Sequence, residues 1–109
     1  MSLPEELEAL LLSVRNLASI QGDFNSYQEA CFTQRPSEFF SLELCGEAGE
    51  LANLEKKSWK GKEIPAERFA DEAADVLIAL MNYANARNIS LADAVLEKLR
   101  IIEERRNGA

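Results

Sequence analysis

The sequence predicts an all-α bundle of about five helices in a single domain. Apolar residues recur at steps of three and four along most of its length, which is the spacing of a helix face. Proline, serine and glycine punctuate those stretches at positions suited to starting and stopping helices. The 109 residues contain no internal repeat, low-complexity run or candidate linker.

Leu3, Leu7, Leu10, Val14 and Leu17 form the first apolar stripe, and Ser2 followed by Pro4 and Glu5 reads as a capped start. Gln21-Gly22-Asp23 is expected to break that helix. A short second helix follows from about Phe24 to Gln34, with Tyr27, Ala30 and Cys31 on its apolar side. Pro36 and Ser37 open a long third helix that runs to about Lys60, where Gly61 suits the residue just past the end. Lys62-Glu63-Ile64 is a short link, and Pro65 fits the first turn of a fourth helix. That helix is expected to bury Phe69, Ala73, Val76, Leu77, Leu80 and Met81 and to end near Asn88. Ser90-Leu91-Ala92-Asp93 is a capping box for the fifth, whose stripe is Leu91, Val95, Leu99 and Ile102.

Composition narrows the chemistry. There are 19 acidic residues against 12 basic, a net charge of −7, and no histidine. Without histidine there is no Ser-His-Asp or Cys-His catalysis and no histidine-ligated zinc, haem or di-iron site. The acidic balance argues against general affinity for a nucleic acid polymer or an anionic membrane, both of which call for basic patches. Carboxylates without histidine suit hard cations such as Mg²⁺ or Mn²⁺. Cys31 and Cys45 match no zinc or redox spacing and read as reduced thiols of a cytoplasmic protein. No apolar run approaches the roughly 20 residues of a membrane span, and the first residues lack the basic segment of a signal peptide. A chain this short buries only about 60–70% of its unfolded surface, so a partner subunit is expected to complete its core.

Helices three and four each carry two acids three residues apart, Glu47 with Glu50 and Glu72 with Asp75. Residues at that spacing share a face, about 5–6 Å apart at Cβ. If the two helices pack antiparallel, as their short link suggests, four carboxylates converge and need cations between them. The alternative is solvated surface charge, since Glu5 and Glu8 show the same spacing in a chain rich in acids. Gly46 and Gly49 lie inside the third helix, where each costs about 1 kcal/mol relative to alanine. A close crossing against Ala70, Ala73 and Ala74 would account for them. Asn82 lies seven residues beyond Asp75 on the same face, inside an apolar segment, and reads either as a buried structural amide or as a substrate contact. Lys56, Lys57, Lys60 and Lys62 form the only basic cluster in mid-chain. They suit phosphate oxygens or, equally, the negative end of a helix dipole.

The run Cys45-Gly46-Glu47-Ala48-Gly49-Glu50-Leu51-Ala52-Asn53, then Asp71-Glu72-Ala73-Ala74-Asp75-Val76-Leu77, resembles the MazG-like nucleotide pyrophosphohydrolases. Their signature is Glu-x-x-Glu, a spacer, and Glu-x-x-Asp, and the 21 residues between Glu50 and Glu72 fit the spacer. Tyr27-Gln28-Glu29-Ala30, Lys56-Lys57, and the segment Ser90 to Val95 with Lys98-Leu99 extend the likeness over about Phe24 to Arg106. Two positions depart from the family pattern. Ile101-Ile102 stands where many members carry an asparagine, and Trp59 falls out of register with a base-stacking tryptophan of one branch.

The resemblance implies the all-α fold of that family, with the active site between two antiparallel helices. It implies Mg²⁺ held by Glu47, Glu50, Glu72 and Asp75, and hydrolysis of a nucleoside triphosphate to the monophosphate and pyrophosphate. Lys57, Lys60 and Lys98 would contact phosphates, Asn82 sugar or phosphate, and Trp59, Tyr27 and Gln28 other parts of the substrate. It further implies a homodimer or homotetramer.

Overall fold

The computed structural model describes residues 3–108. Five helical segments follow one another: α1 (Glu5–Val14), α2 (Asn16–Cys31), α3 (Ser37–Trp59), α4 (Ala66–Ala86) and α5 (Leu91–Arg106). There is no strand among the described residues, so the molecule is all-α as expected.

The first boundary differs from expectation. Gln21-Gly22-Asp23 lies inside α2 and breaks nothing. The interruption between them is at Arg15, whose dihedrals (φ −59°, ψ −26°) are themselves helical, so α1 and α2 form one nearly continuous arm and the described residues make four arms. A mid-helix glycine costs about 1 kcal/mol, and an inward stripe offsets it. Leu7, Leu11, Val14, Leu17, Gln21, Phe24 and Gln28 are buried or half-buried at steps of three and four through the supposed break. Tyr27, Ala30 and Cys31, expected on the apolar side, are exposed. α2 stops at Cys31, three residues before the expected end, where Phe32 turns extended.

The remaining helix ends obey local chemistry. Pro4, Pro36 and Pro65 each occupy the N-cap, so Pro4 and Pro65 sit one position outside the first turn; Ser2 lies outside the described residues. Beyond α3, Gly61 takes φ +100°. Its N–H donates to the Ser58 carbonyl at 2.9 Å and that of Lys62 to the Lys57 carbonyl at 3.1 Å. Those two bonds are the Schellman pattern that satisfies orphan carbonyls. Asn88 does the same beyond α4 at φ +58°, with Ile89 N–H reaching the Ala84 carbonyl at 2.8 Å. The capping box forms on one side: Ser90 Oγ accepts from the Asp93 N–H at 3.2 Å.

α3 and α4 make the principal packing contact, as a hairpin joined by the short link. α4 is the central helix, with α3 on one side and α2 on the other, while α5 packs on α2 and α1. The core is small: Val14, Phe40, Leu54, Ala79, Met81, Ala84 and Ala92. An amide latch ties the far end of α4 to α2. Gln21 Nε2 donates to Asn85 Oδ1 at 2.9 Å and to the Ile89 carbonyl at 2.7 Å, and Gln21 Oε1 accepts from the Leu91 N–H at 2.9 Å. Ala73, Leu77 and Ile102, expected to be buried, face outward. Because α4 serves two neighbours, its inward residues follow two faces rather than one stripe. Cys31 and Cys45 are free and exposed. No helix among the described residues is long and apolar enough to cross a membrane.

Candidate metal centre

The α3–α4 hairpin brings the two acid pairs together. One carboxylate oxygen from each of Glu47, Glu50 and Glu72 lies within 4.8 Å of the others, and a second such trio, Asp71, Glu72 and Asp75, shares Glu72. Glu72 thus joins two adjoining oxygen clusters. The register follows from the hairpin: Glu47 and Glu50 share one face of α3, and Glu72 and Asp75 share the face of α4 turned toward them. Asp71 lies four residues before Asp75, a spacing that places the two on one side of α4.

Exposed acids often cluster without holding an ion, so proximity alone decides little. Burial is more discriminating. Glu47 Oε2 and Glu72 Oε2 are inaccessible to solvent and have no hydrogen-bond partner. Native proteins rarely bury such an oxygen unsatisfied, because the desolvation cost is not recovered. Burial, followed by the influence of Glu50 and then the charges of Glu47 and Asp75, pushes Glu72 up to about 7. Glu47 is raised as well, by burial first and then by the charges of Glu50 and Asp75. Both shifts express the cost of holding several carboxylate charges together out of water. All-oxygen carboxylate donors of this kind fit Mg²⁺ or Mn²⁺.

The groove continues in both directions. On the side of the α3–α4 link, a cavity of ≈ 240 Å³ is lined by Glu50, Asn53, Leu54, Lys57, Arg68 and Glu72. On the other side, about 10 Å along α4 from Asp75 at 1.5 Å per residue, lies a polar cleft of ≈ 140 Å³ whose lining includes Asn25, Gln28, Arg35, Phe40 and Asn82. Asn82 is 9% exposed, yet its amide makes no side-chain hydrogen bond among the described residues. The structural amide on this helix is Asn85, held in the latch.

Other expected contacts lie elsewhere. Trp59 is 87% exposed, and neither it nor Lys60 lines either cavity. Lys98 is exposed on α5, away from the groove. Tyr27 is exposed and packs edge-on against Phe32, ring centroids 5.4 Å apart. The glycines do not serve a close α3–α4 crossing, since a Cβ at Gly46 or Gly49 would meet nothing within 4 Å. Ala70, Ala73 and Ala74 are exposed too. Asn25 and Arg35 carry no signal in the sequence, because each reaches the groove only through the way the helices pack, whereas Arg68 lies four residues before Glu72 and shares its face. Neither a family model, nor a curated protein, nor a solved structure matches this chain.

Proposed function

We propose that the groove binds a divalent cation, Mg²⁺ or Mn²⁺, and hydrolyses a nucleoside triphosphate to its monophosphate and pyrophosphate, as the resemblance to MazG-like enzymes suggests. The observation that carries this reading is the pair of buried, unsatisfied oxygens, Glu47 Oε2 and Glu72 Oε2, on facing helices. Glu47, Glu50, Glu72 and Asp75 would hold the metal, with Asp71 at its edge. Bound there, Mg²⁺ would supply charge neutralisation for the triphosphate and lower the pKa of the attacking water.

The chain's own residues do the rest. Water adds to the α-phosphorus, the bond from that phosphorus to the α–β bridging oxygen breaks, and pyrophosphate leaves with that electron pair. Glu47 accepts the water's proton as the general base. Lys57 meets phosphate oxygens from α3, and the amides of Asn82 and Gln28 meet the nucleoside in the polar cleft. No nucleophilic side chain is needed, in keeping with a chain that has no histidine.

Self-association as a homodimer or homotetramer belongs to the same proposal, supported by the thin core and by exposed side chains such as Leu42 (74% exposed). Hydrolysis in ¹⁸O-labelled water tests the chemistry. Label is expected in the monophosphate alone; label in pyrophosphate or in inorganic phosphate would refute attack at the α-phosphorus. A panel including phosphoribosyl-ATP identifies the nucleotide. A complete lack of pyrophosphate would favour a non-enzymatic helical adaptor.

A further inference from the structure

Two exposed features lie outside the α3–α4 groove. The first is the tip where α3 gives way to the link. Trp59 is the sole tryptophan and is 87% exposed, more than any other large apolar side chain among the described residues. Residues 56–62, which bracket it, carry four lysines and no acid in a chain of net charge −7. Lys57 lines the groove cavity, which leaves Lys56, Lys60 and Lys62, all exposed, beside Trp59 in the chain.

The second is an apolar trough of ≈ 300 Å³ between α1 and α5, with Leu7 and Leu10 on one wall and Leu99 and Ile102 on the other. Glu103 and Arg106 also line it, but they pair with each other. Glu6 is the remaining charge in its lining. Residues 3–14 add Glu5 and Glu8 and contain no base, and these three glutamates are exposed.

Tip and trough are complementary in polarity and in charge. A seated tryptophan removes about 150–250 Å² from water, and its N–H needs an acceptor at the edge, which the Glu6 carboxylate can supply. Three lysines facing three glutamates around the seat steer and orient the encounter. The two features do not meet within one chain, since Trp59 stands in solvent while α1 packs on α2 and α5. An anionic membrane would answer the lysines and the indole but leave the trough uncovered. A second copy of this chain answers all of them.

We propose that Trp59 of one copy seats in the α1–α5 trough of another, with Lys56, Lys60 and Lys62 against Glu5, Glu6 and Glu8. The inference rests on the self-association within the proposed function and assigns it a surface; hydrolysis plays no part in it.

Intrinsic fluorescence reads this contact directly, because all tryptophan emission comes from Trp59. As the full chain is concentrated from micromolar toward millimolar, emission is expected to move to shorter wavelength as the indole leaves water. Leu10→Gln and Ile102→Gln change the trough and not the fluorophore. Each should need about ten-fold or more higher concentration for the same shift, the scale of one apolar side chain lost from an interface. Lys60→Glu should weaken the shift in the same direction, and circular dichroism should show unchanged helix content in all three variants. Emission that stays at the solvent-exposed wavelength while light scattering reports two or more chains would overturn this contact and leave self-association standing. A shift unchanged in both trough variants would place Trp59 against another surface and overturn it as well. A shift caused by phosphatidylserine vesicles in dilute protein, and not by concentration, would assign the tip to a membrane instead.

Discussion

Glu72 concentrates the physics of this molecule in one side chain. It belongs to both oxygen clusters, carries one of the two buried unsatisfied oxygens, and is pushed to about 7 by burial and by Glu50, Glu47 and Asp75. A carboxyl raised in the folded state favours folding at low pH. That contribution is complete below the ordinary value of 4.5 and is lost as pH rises through about 7. Glu97 and Glu103, held down by Arg100 and Arg106, act in the opposite sense and below that window. The chelator-treated protein should therefore lose melting temperature between pH 5 and pH 8. Glu72→Gln should flatten that fall, and Mg²⁺ should restore stability at pH 8 by linkage. Parallel curves for wild type and Glu72→Gln would place no strained carboxyl at Glu72. The acids themselves were legible in the sequence, because an i, i+3 pair declares a shared face. Asn25 and Arg35 were not, because they lie on and just beyond α2 and reach the groove only through the packing of α2 against α4, which no local spacing encodes.

At the scale of the helix, terminators were readable where the chemistry is local and misleading where it is not. Gly61 stops α3 because φ +100° suits glycine alone. Gly22 looked like the same signal, but it lies within a stripe that packs along its whole length, and packing outweighs about 1 kcal/mol of propensity. Thermal melts separate the two. Gly22→Ala meets open space and should raise stability by about 1 kcal/mol, roughly 4 °C for a domain of this size. Gly61→Ala should lower it by about 1–2 kcal/mol, the cost of a left-handed alanine. Stabilisation by both would mean that α3 does not end in a Schellman turn. The buried face of α4 departs from its apolar stripe for a related reason. A single stripe presumes one neighbour, and α4 has one on each side, so Asn82 faces the groove while Ala73 and Leu77 face out.

The whole molecule is more open than a chain of this length needs to be. Its radius of gyration is 17.0 Å, against about 13 Å for a compact domain of this length. It exposes 7971 Å², where a monomer of 12.2 kDa ordinarily exposes about 6,100 Å². The excess is larger than the roughly 800 Å² that each partner contributes to a standard interface. Gly46, Gly49 and Leu42 share the exposed side of α3, and a Cβ at either glycine would meet nothing within 4 Å. Light scattering after gel filtration should give a mass of at least two chains, and Leu42→Lys should shift it toward one. A monomer at tens of micromolar would contradict the self-association and leave the glycines unexplained. The shortness of the chain already indicated a thin core, but which faces remain uncovered became visible only in three dimensions.

In the proposed function, the carboxylates of the α3–α4 groove hold a metal for breaking the α–β phosphate bond. Release of pyrophosphate from a panel of nucleoside triphosphates, with Mg²⁺ and after chelation, tests it most directly when wild type is compared with Glu72→Gln and Glu50→Gln. Equimolar pyrophosphate and monophosphate from at least one nucleotide is predicted for wild type with Mg²⁺. Chelation or either substitution should lower the rate at least a hundred-fold, the scale of a lost catalytic electrostatic group, with helix content retained. Undiminished turnover in Glu72→Gln, or no pyrophosphate from any nucleotide, would contradict it.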